Sequence, residues 1–229
     1  MGRGAVVIIH GFGGGRYEVA YLRQYLQKRG IKAFTIRLAG HEGSKAHMAA
    51  SGHQEWVCSA ARQVIRIRRR YPQVLLVGFS MGGLVAANLI AGGIAAEGLV
   101  LVNTPIYFWD IKRICINIWK DLRRGRWDAL RTYLHSSQQA PFVSLLAFLT
   151  LLHRTKPLFR RLHIPSFIVQ CKDDDAVQNR SADYLKAQLG PNASLKYLHH
   201  GGHVVFCSGA RDKASGLIYQ WIRENFAEI

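Results

Sequence analysis

Acidic residues are scarce in this sequence of 229 residues. It holds 14 Asp and Glu against 31 Lys and Arg, which gives a formal net charge of +17 with histidine neutral. Such an excess of one sign predicts contact with an anionic partner, whether nucleic acid, an acidic membrane face or a negatively charged substrate. The charge carries no information about the fold.

Cysteines and long apolar runs are also sparse. The four cysteines are Cys58, Cys115, Cys171 and Cys207. They form no C-x-x-C pair and no metal-ligand spacing, which predicts reduced thiols in a cytoplasmic protein with no bound metal. The longest apolar stretch, at 141–152, is about half of the ~20 residues that a membrane-spanning helix needs. The N-terminal apolar run is too short for a signal peptide, so we expect a soluble protein.

Short, largely apolar runs alternate with longer helical patterns along the chain. The runs lie at 5–9, 33–36, 74–77, 99–102, 166–169 and 195–198. The helical patterns lie at 17–29, 53–70, 81–91, 180–188 and 212–225. This alternation is typical of an α/β fold with a mostly parallel, doubly wound sheet.

About sixty residues separate the fourth run from the fifth, far more than one crossover requires. Helical patterns at 107–122, 127–134 and 142–153 fill this interval. We therefore predict an α/β core at 1–106 and 164–229 with a helical cap inserted at 107–163. The last of these helices is apolar almost all round, which leaves two interpretations open. It is either buried under its neighbours or is a lid whose outer face contacts lipid or acyl chains.

A G-x-S-x-G sequence at 78–82 follows one predicted strand and precedes a helix. This is the pattern of a nucleophile elbow, a tight turn that holds a serine hydroxyl above the sheet, and it makes Ser80 the candidate nucleophile. Gly78 and Gly82 are expected to be required because a Cβ at either position would meet neighbouring backbone. The alternative interpretation is an ordinary glycine-rich turn.

A glycine-rich loop, HGFGGG at 10–15, follows the first run. It contains neither G-x-G-x-x-G nor G-K-[ST], which argues against nucleotide binding. Beside a nucleophile elbow, such a loop can donate a backbone N–H to an oxyanion. The expected pair of donors is the backbone N–H groups of Phe12 and Met81.

A nucleophilic serine needs a histidine base and an acid to orient it, and after this type of elbow the acid precedes the histidine. Three aspartates at 173–175 follow the fifth run. Asp174 is the preferred acid because an apolar residue lies three positions after it, and Asp173 is the alternative. His203 is the preferred base because the two preceding glycines let its loop bring the imidazole over the sheet edge.

Together these features resemble the α/β-hydrolase superfamily, and within it small bacterial carboxylesterases and monoacylglycerol lipases with a helical cap. The resemblance is carried by HGFGG at 10–14, RLAGHE at 37–42, GFSMGG at 78–83, the segment 169–183 and GGHV at 201–204. It implies a serine hydrolase of short- to medium-chain acyl esters or monoacylglycerols that needs no cofactor. Its implied triad is Ser80, Asp174 and His203, with Phe12 and Met81 as oxyanion-hole donors.

The positive charge keeps other substrates and partners open. One alternative is a thioesterase that acts on anionic acyl-thioesters. Another is a non-catalytic basic binding module, suggested by RIRRR at 66–70 and RRGR at 123–126, although no nucleic-acid-binding motif accompanies these runs. We expect no specific nucleic-acid partner, and we predict peripheral contact of the basic cap with an anionic membrane surface.

Overall fold

The computed structural model of the protein describes residues 4–108, 141–226 and 229. Its centre is a six-stranded sheet, parallel throughout, with the strand order β2-β1-β3-β4-β5-β6. The strands are β1 (Gly4–Ile9), β2 (Ala33–Ile36), β3 (Gln73–Phe79), β4 (Gly98–Val102), β5 (Ser166–Cys171) and β6 (Ala193–Leu198). The predicted α/β class is confirmed.

The strand order reverses between β1 and β3, which are neighbours although β2 separates them along the chain. Their ends lie side by side, with Ile9 opposite Gly78 in the parallel register. At such a reversal the loops after the two strands diverge to opposite faces and leave a crevice at the carboxyl edge of the sheet. The glycine-rich loop and the candidate elbow therefore start next to each other.

Seven helices of the described residues cover the sheet. They are α1 (Ala20–Gln27), α2 (Lys45–Ala49), α3 (His53–Arg70), α4 (Met81–Ala91), α5 (Phe142–Thr155), α6 (Arg180–Leu189) and α7 (Arg211–Asn225). The sequence missed α2 because five residues are too few to show a helical period, although Ser44 caps its start by accepting the His47 N–H. The helix predicted at 127–134 and most of the one at 107–122 lie outside the described residues.

Helices pack on both faces of the sheet, which explains the unbroken apolar runs of the inner strands. One buried cluster contains residues of α3, α4, α5 and α6, among them Trp56, Leu84, Leu151 and Leu185. The cluster on the other face contains residues of α1 and α7, among them Leu22 and Ile218. Strand β6, at the edge of the sheet, instead has exposed residues in its middle.

Helix α5 and the 3-10 turn after it form a stretch, Phe142–Arg161, that is long and apolar enough by length and composition to cross a membrane. It is longer than the apolar run at 141–152 because the turn Lys156–Arg161, which is rich in basic residues, extends the helix beyond that run. In the fold this stretch packs in part on the core, where Phe148 and Leu151 are buried. A core helix of a soluble protein meets the same criterion.

Candidate active site

Ser80 lies at the turn between β3 and α4, with the backbone angles φ 52° and ψ −125°. A positive φ is rare and strained for a residue with a Cβ, and it is the strain expected of a nucleophile elbow. The turn is so tight that a Cβ on Gly78 would lie 2.3 Å from the Gly83 nitrogen, and one on Gly82 would lie 2.2 Å from the Ile9 oxygen. The predicted need for both glycines is confirmed.

A chain of hydrogen bonds runs from Ser80 through His203 to Asp174. The Ser80 Oγ lies 3.0 Å from His203 Nε2, and His203 Nδ1 lies 2.9 Å and 3.1 Å from the two carboxylate oxygens of Asp174. These residues follow β3, β6 and β5, so the parallel strands bring them to one edge of the sheet. With Nδ1 protonated, His203 donates to Asp174 and its Nε2 accepts from the serine hydroxyl. This is the order of contacts in which a histidine can take the serine proton.

The side chain of Asp174 is fully buried, so its charge depends on nearby hydrogen-bond donors. Its Oδ1 accepts from the backbone N–H groups of Ala176 at 2.9 Å and Val177 at 2.8 Å. The neighbouring Asp173 is exposed and instead accepts from the N–H groups of Gly201 at 3.1 Å and Gly202 at 3.0 Å. Asp174 therefore contacts the His203 ring, and Asp173 holds the loop that carries it.

Asn103, which the sequence analysis did not single out, also holds this loop. It is fully buried just after β4 and has a positive φ of 46°. Its Nδ2 donates to the carbonyl oxygens of Gly202 at 3.1 Å and His203 at 2.7 Å, while its Oδ1 accepts the Cys171 N–H at 2.9 Å. The only sequence signal for it is a polar residue directly after a buried strand.

The predicted oxyanion donors lie on neighbouring segments, with Phe12 in the glycine-rich loop and Met81 at the first position of α4. Among the described residues, neither the Phe12 N–H nor the Met81 N–H has a hydrogen-bond acceptor. The glycine-rich loop is held by Glu18, whose Oε2 accepts the Gly11 N–H at 3.1 Å. Burial raises the pKa of Glu18. Glu18 has no motif in the sequence that would reveal this role, because its contact depends on how the loop folds back.

Aromatic rings pack between the glycine-rich loop and α5. The Phe12 ring stacks on Phe148 of α5 with 5.0 Å between ring centroids, and Phe148 also meets Phe108 edge-on at 5.3 Å. Trp56 of α3 lies 5.8 Å from the Phe12 ring. The loop that carries one predicted oxyanion donor is thus in direct contact with the apolar helix of the predicted cap.

His10, the first residue of the HGFGGG segment, is fully buried beneath the glycine-rich loop. Its Nδ1 lies 2.9 Å from the Gly11 carbonyl oxygen, and its Nε2 lies 3.2 Å from the Leu38 nitrogen. The neutral ring therefore donates to the glycine-rich loop and accepts from the segment after β2. Burial lowers the pKa of His10 to about 4. The ring therefore joins the glycine-rich loop to the RLAGHE segment without carrying a charge at neutral pH.

The described residues contain no group of three or more His, Cys, Asp or Glu side chains that could hold a metal ion. Cys58, Cys171 and Cys207 are free thiols. Cys115 lies outside the part of the chain that the structure describes.

Sequence comparisons match nearly the whole chain. The model of a family described as the alpha/beta hydrolase family matches residues 6–208. A carboxylesterase of Bacillus subtilis is 20% identical over 228 residues, which cover 96% of this chain and 92% of the relative. A thermostable monoacylglycerol lipase of Bacillus sp. strain H-257 is 24% identical over 188 residues, which cover 79% of this chain and 74% of the relative. These matches confirm the resemblance drawn from the motifs.

Solved structures share the fold at low sequence identity. The monoacylglycerol lipase of Paleococcus ferrophilus has a TM-score of 0.72 at 14% identity and covers 97% of this chain and 95% of its own. A soluble variant of monoglyceride lipase from Saccharomyces cerevisiae, in complex with a substrate analog, has a TM-score of 0.78 at 16% identity, with coverage of 97% and 87%.

Proposed function

This chain belongs to the alpha/beta hydrolase family, and we propose that it hydrolyses carboxylic esters with Ser80 as nucleophile, His203 as general base and Asp174 as the orienting acid. The observation that carries the proposal is the unbroken hydrogen-bond chain from the Ser80 Oγ to the buried Asp174 carboxylate. The strained backbone of Ser80, which presents the hydroxyl at the carboxyl edge of the sheet, supports it further.

The proposed reaction is a two-step acyl transfer. His203 Nε2 takes the hydroxyl proton as the Ser80 Oγ attacks the ester carbonyl carbon, and Asp174 holds the imidazole in the required tautomer. The oxyanion accepts hydrogen bonds from the N–H groups of Phe12 and Met81. His203 then protonates the departing alcohol, and it activates the water that hydrolyses the acyl-enzyme. Every step uses groups of the chain itself.

We propose short- to medium-chain acyl esters or monoacylglycerols as the substrates. The aromatic layer of Phe12, Phe108 and Phe148 supports an apolar acyl pocket, because it lies between the glycine-rich loop and α5. Two sequence relatives are named as a carboxylesterase and a monoacylglycerol lipase. The division into a core and a cap at 107–163, the cytoplasmic location and the peripheral membrane contact stay predictions.

The test is hydrolysis of p-nitrophenyl esters from acetate to palmitate. We expect activity to peak at short or medium chains, and Ser80→Ala or His203→Ala to lower kcat by a factor on the order of 10⁵–10⁶. Ser194→Ala and His199→Ala, which change exposed residues outside the hydrogen-bond chain, serve as matched controls and should retain the activity. Near wild-type activity in folded Ser80→Ala protein would refute the proposed mechanism.

The net charge of +17 favours a second candidate, the hydrolysis of anionic acyl-thioesters by the same residues. Attraction between a basic enzyme and an anionic substrate is screened by salt, with a Debye length of about 10 Å at 0.1 M. If thioesters are the substrate, their kcat/KM should fall steeply as salt is added while that of neutral esters stays constant. Equal salt dependence for both substrates would leave the ester assignment in place.

A further inference from the structure

A cavity of about 670 Å³ lies between the segment that follows β2 and the helix α3, apart from the proposed triad. Its described lining includes none of Ser80, Asp174 or His203. Three arginines line it, Arg37 after β2 and Arg62 and Arg66 on α3. The two helical arginines are four positions apart, so they lie on the same face of α3.

The described residues provide no carboxylate partner for the arginines of this cavity. No ion pair joins Arg37, Arg62 or Arg66 to an acid among the described residues. Glu42 is the one carboxylate of the described lining, and Arg16 holds it from outside the cavity, with the Arg16 Nη2 at 2.8 Å and Nε at 2.9 Å and 3.0 Å from its oxygens. The described lining therefore carries three exposed arginines and a single carboxylate, which Arg16 already holds.

The backbone around these arginines is held in place without using their guanidinium groups. The Gln63 side chain accepts the Arg37 N–H at 3.2 Å and donates to the Arg37 carbonyl oxygen at 2.7 Å. Ser59 of α3 accepts the N–H of Ala39 at 2.9 Å. The segment is therefore tied to α3 on both sides of Leu38, so the backbone that carries Arg37 is fixed relative to Arg62 and Arg66 of the helix, while the three arginine side chains are exposed to solvent.

We propose that this cavity binds a small molecule with clustered phosphate groups. Guanidinium groups present paired N–H donors in a fixed plane that matches phosphate oxygens, and three of them suit two or three neighbouring phosphates. A volume of about 670 Å³ is that of a site for a small ligand. Both a free oligophosphate and the phosphorylated headgroup of a lipid have this chemistry, and the ligand is bound, not hydrolysed.

Calorimetric titration with tripolyphosphate at low ionic strength tests the proposal on the whole chain. The double variant R62Q/R66Q should weaken the Kd by about tenfold or more, because it removes two charge-assisted contacts. The matched control R160Q/R161Q removes the same charge from exposed positions outside the cavity and should change the Kd less than about twofold. Circular dichroism establishes that both variants fold.

A second arm uses vesicles that contain phosphatidylinositol 4,5-bisphosphate. Binding of tripolyphosphate that depends on Arg62 and Arg66 supports a soluble ligand, and binding of vesicles alone with the same dependence supports a lipid headgroup. Equal weakening in R62Q/R66Q and R160Q/R161Q, or no saturable binding of either probe, would overturn the proposal. Ser80→Ala should bind both probes as the wild type does, so the result is independent of the proposed esterase activity.

Discussion

Three consecutive aspartates have three different environments in this protein. Asp174 is buried against His203 and two backbone N–H groups, whereas Asp173 is exposed and holds the glycines that precede the histidine. Asp175 is exposed. Because the three have the same side chain, a series of Asn substitutions separates orientation of the imidazole, support of its loop and simple surface charge.

Asp174→Asn should lower kcat on a p-nitrophenyl ester by about 10³–10⁴-fold with little change in KM, because the amide favours the wrong histidine tautomer. Asp173→Asn should lower kcat by about tenfold to a hundredfold, because one amide oxygen cannot hold both glycine N–H groups and His203 shifts with its loop.

Asp175→Asn is the matched control and should stay within about twofold of the wild type. Steady-state kinetics on the three folded variants measures these effects. If Asp173→Asn lost as much kcat as Asp174→Asn, or Asp174→Asn lost nothing, the assignment of the acid would be incorrect.

Helix α5 has one buried face and one exposed face. This bears on the two interpretations of its apolar sequence, a helix buried under its neighbours and a lid whose outer face contacts lipid. Ser144, Phe148, Leu151 and Thr155 are spaced four, three and four residues apart and are buried, whereas Val143 and Leu146 are 60% and 48% exposed. The helix is thus packed on the core along one stripe, as one interpretation requires. It also has an exposed apolar face, as the lid interpretation requires.

Replacing both Val143 and Leu146 by serine tests the lid interpretation. If this face contacts lipid, the double variant should hydrolyse monoacylglycerol presented in vesicles about tenfold more slowly, because it no longer buries the two side chains in the acyl layer. Hydrolysis of soluble p-nitrophenyl acetate and the free energy of unfolding should both remain unchanged, since these residues are exposed.

Phe148→Ala is the contrasting variant of the same helix. It removes a buried ring that stacks on Phe12, so it should lower the free energy of unfolding by about 3–5 kcal/mol and impair both substrates. A V143S/L146S variant with unchanged activity on vesicles would remove the support for lipid contact by this face.

The sequence predicted the elements and motifs that depend on local patterns, and it missed the contacts that depend on the tertiary fold. Short apolar runs were sufficient to predict the strands. Glycine spacing was sufficient to predict the elbow at Ser80, because the elbow is a single local turn. Asn103 and Asp173 both hold the loop of His203 although they are distant from it along the chain. Asn103 is 100 residues from His203, and Asp173 is 28 residues from Gly201. A single sequence does not predict such contacts, since a polar residue directly after a buried strand, as at Asn103, does not indicate which segment it will hold. The apolar residue three positions after Asp174 favoured it from the sequence but left Asp173 as an alternative, and the structure places the buried Asp174, not Asp173, against the His203 ring.

His10 is buried and uncharged in the folded protein, and this affects the stability of the whole molecule in acid. His10 is fully buried and its pKa falls from 6.5 to about 4. In the unfolded chain the imidazole takes up a proton as pH falls below 6.5, whereas in the folded protein it remains neutral until about pH 4. The stability due to the neutral ring is therefore complete above pH 6.5 and is lost as the pH falls toward 4.

Urea unfolding at pH 7 and pH 4.5 measures this loss, with His10→Gln as the reference. The wild type should lose about 2 to 3 kcal/mol more of its free energy of unfolding between the two pH values than the variant, because glutamine has no proton to gain. Other groups titrate in this range too, including Glu18, whose pKa is raised by burial. Their effects and the repulsion within a chain of net charge +17 are common to both proteins and cancel in the difference. An equal loss of free energy in the two proteins would contradict this prediction, because it would mean that His10 takes up its proton in the folded state as readily as in the unfolded chain. A proton on Nε2 would break the hydrogen bond that this nitrogen accepts from the Leu38 N–H.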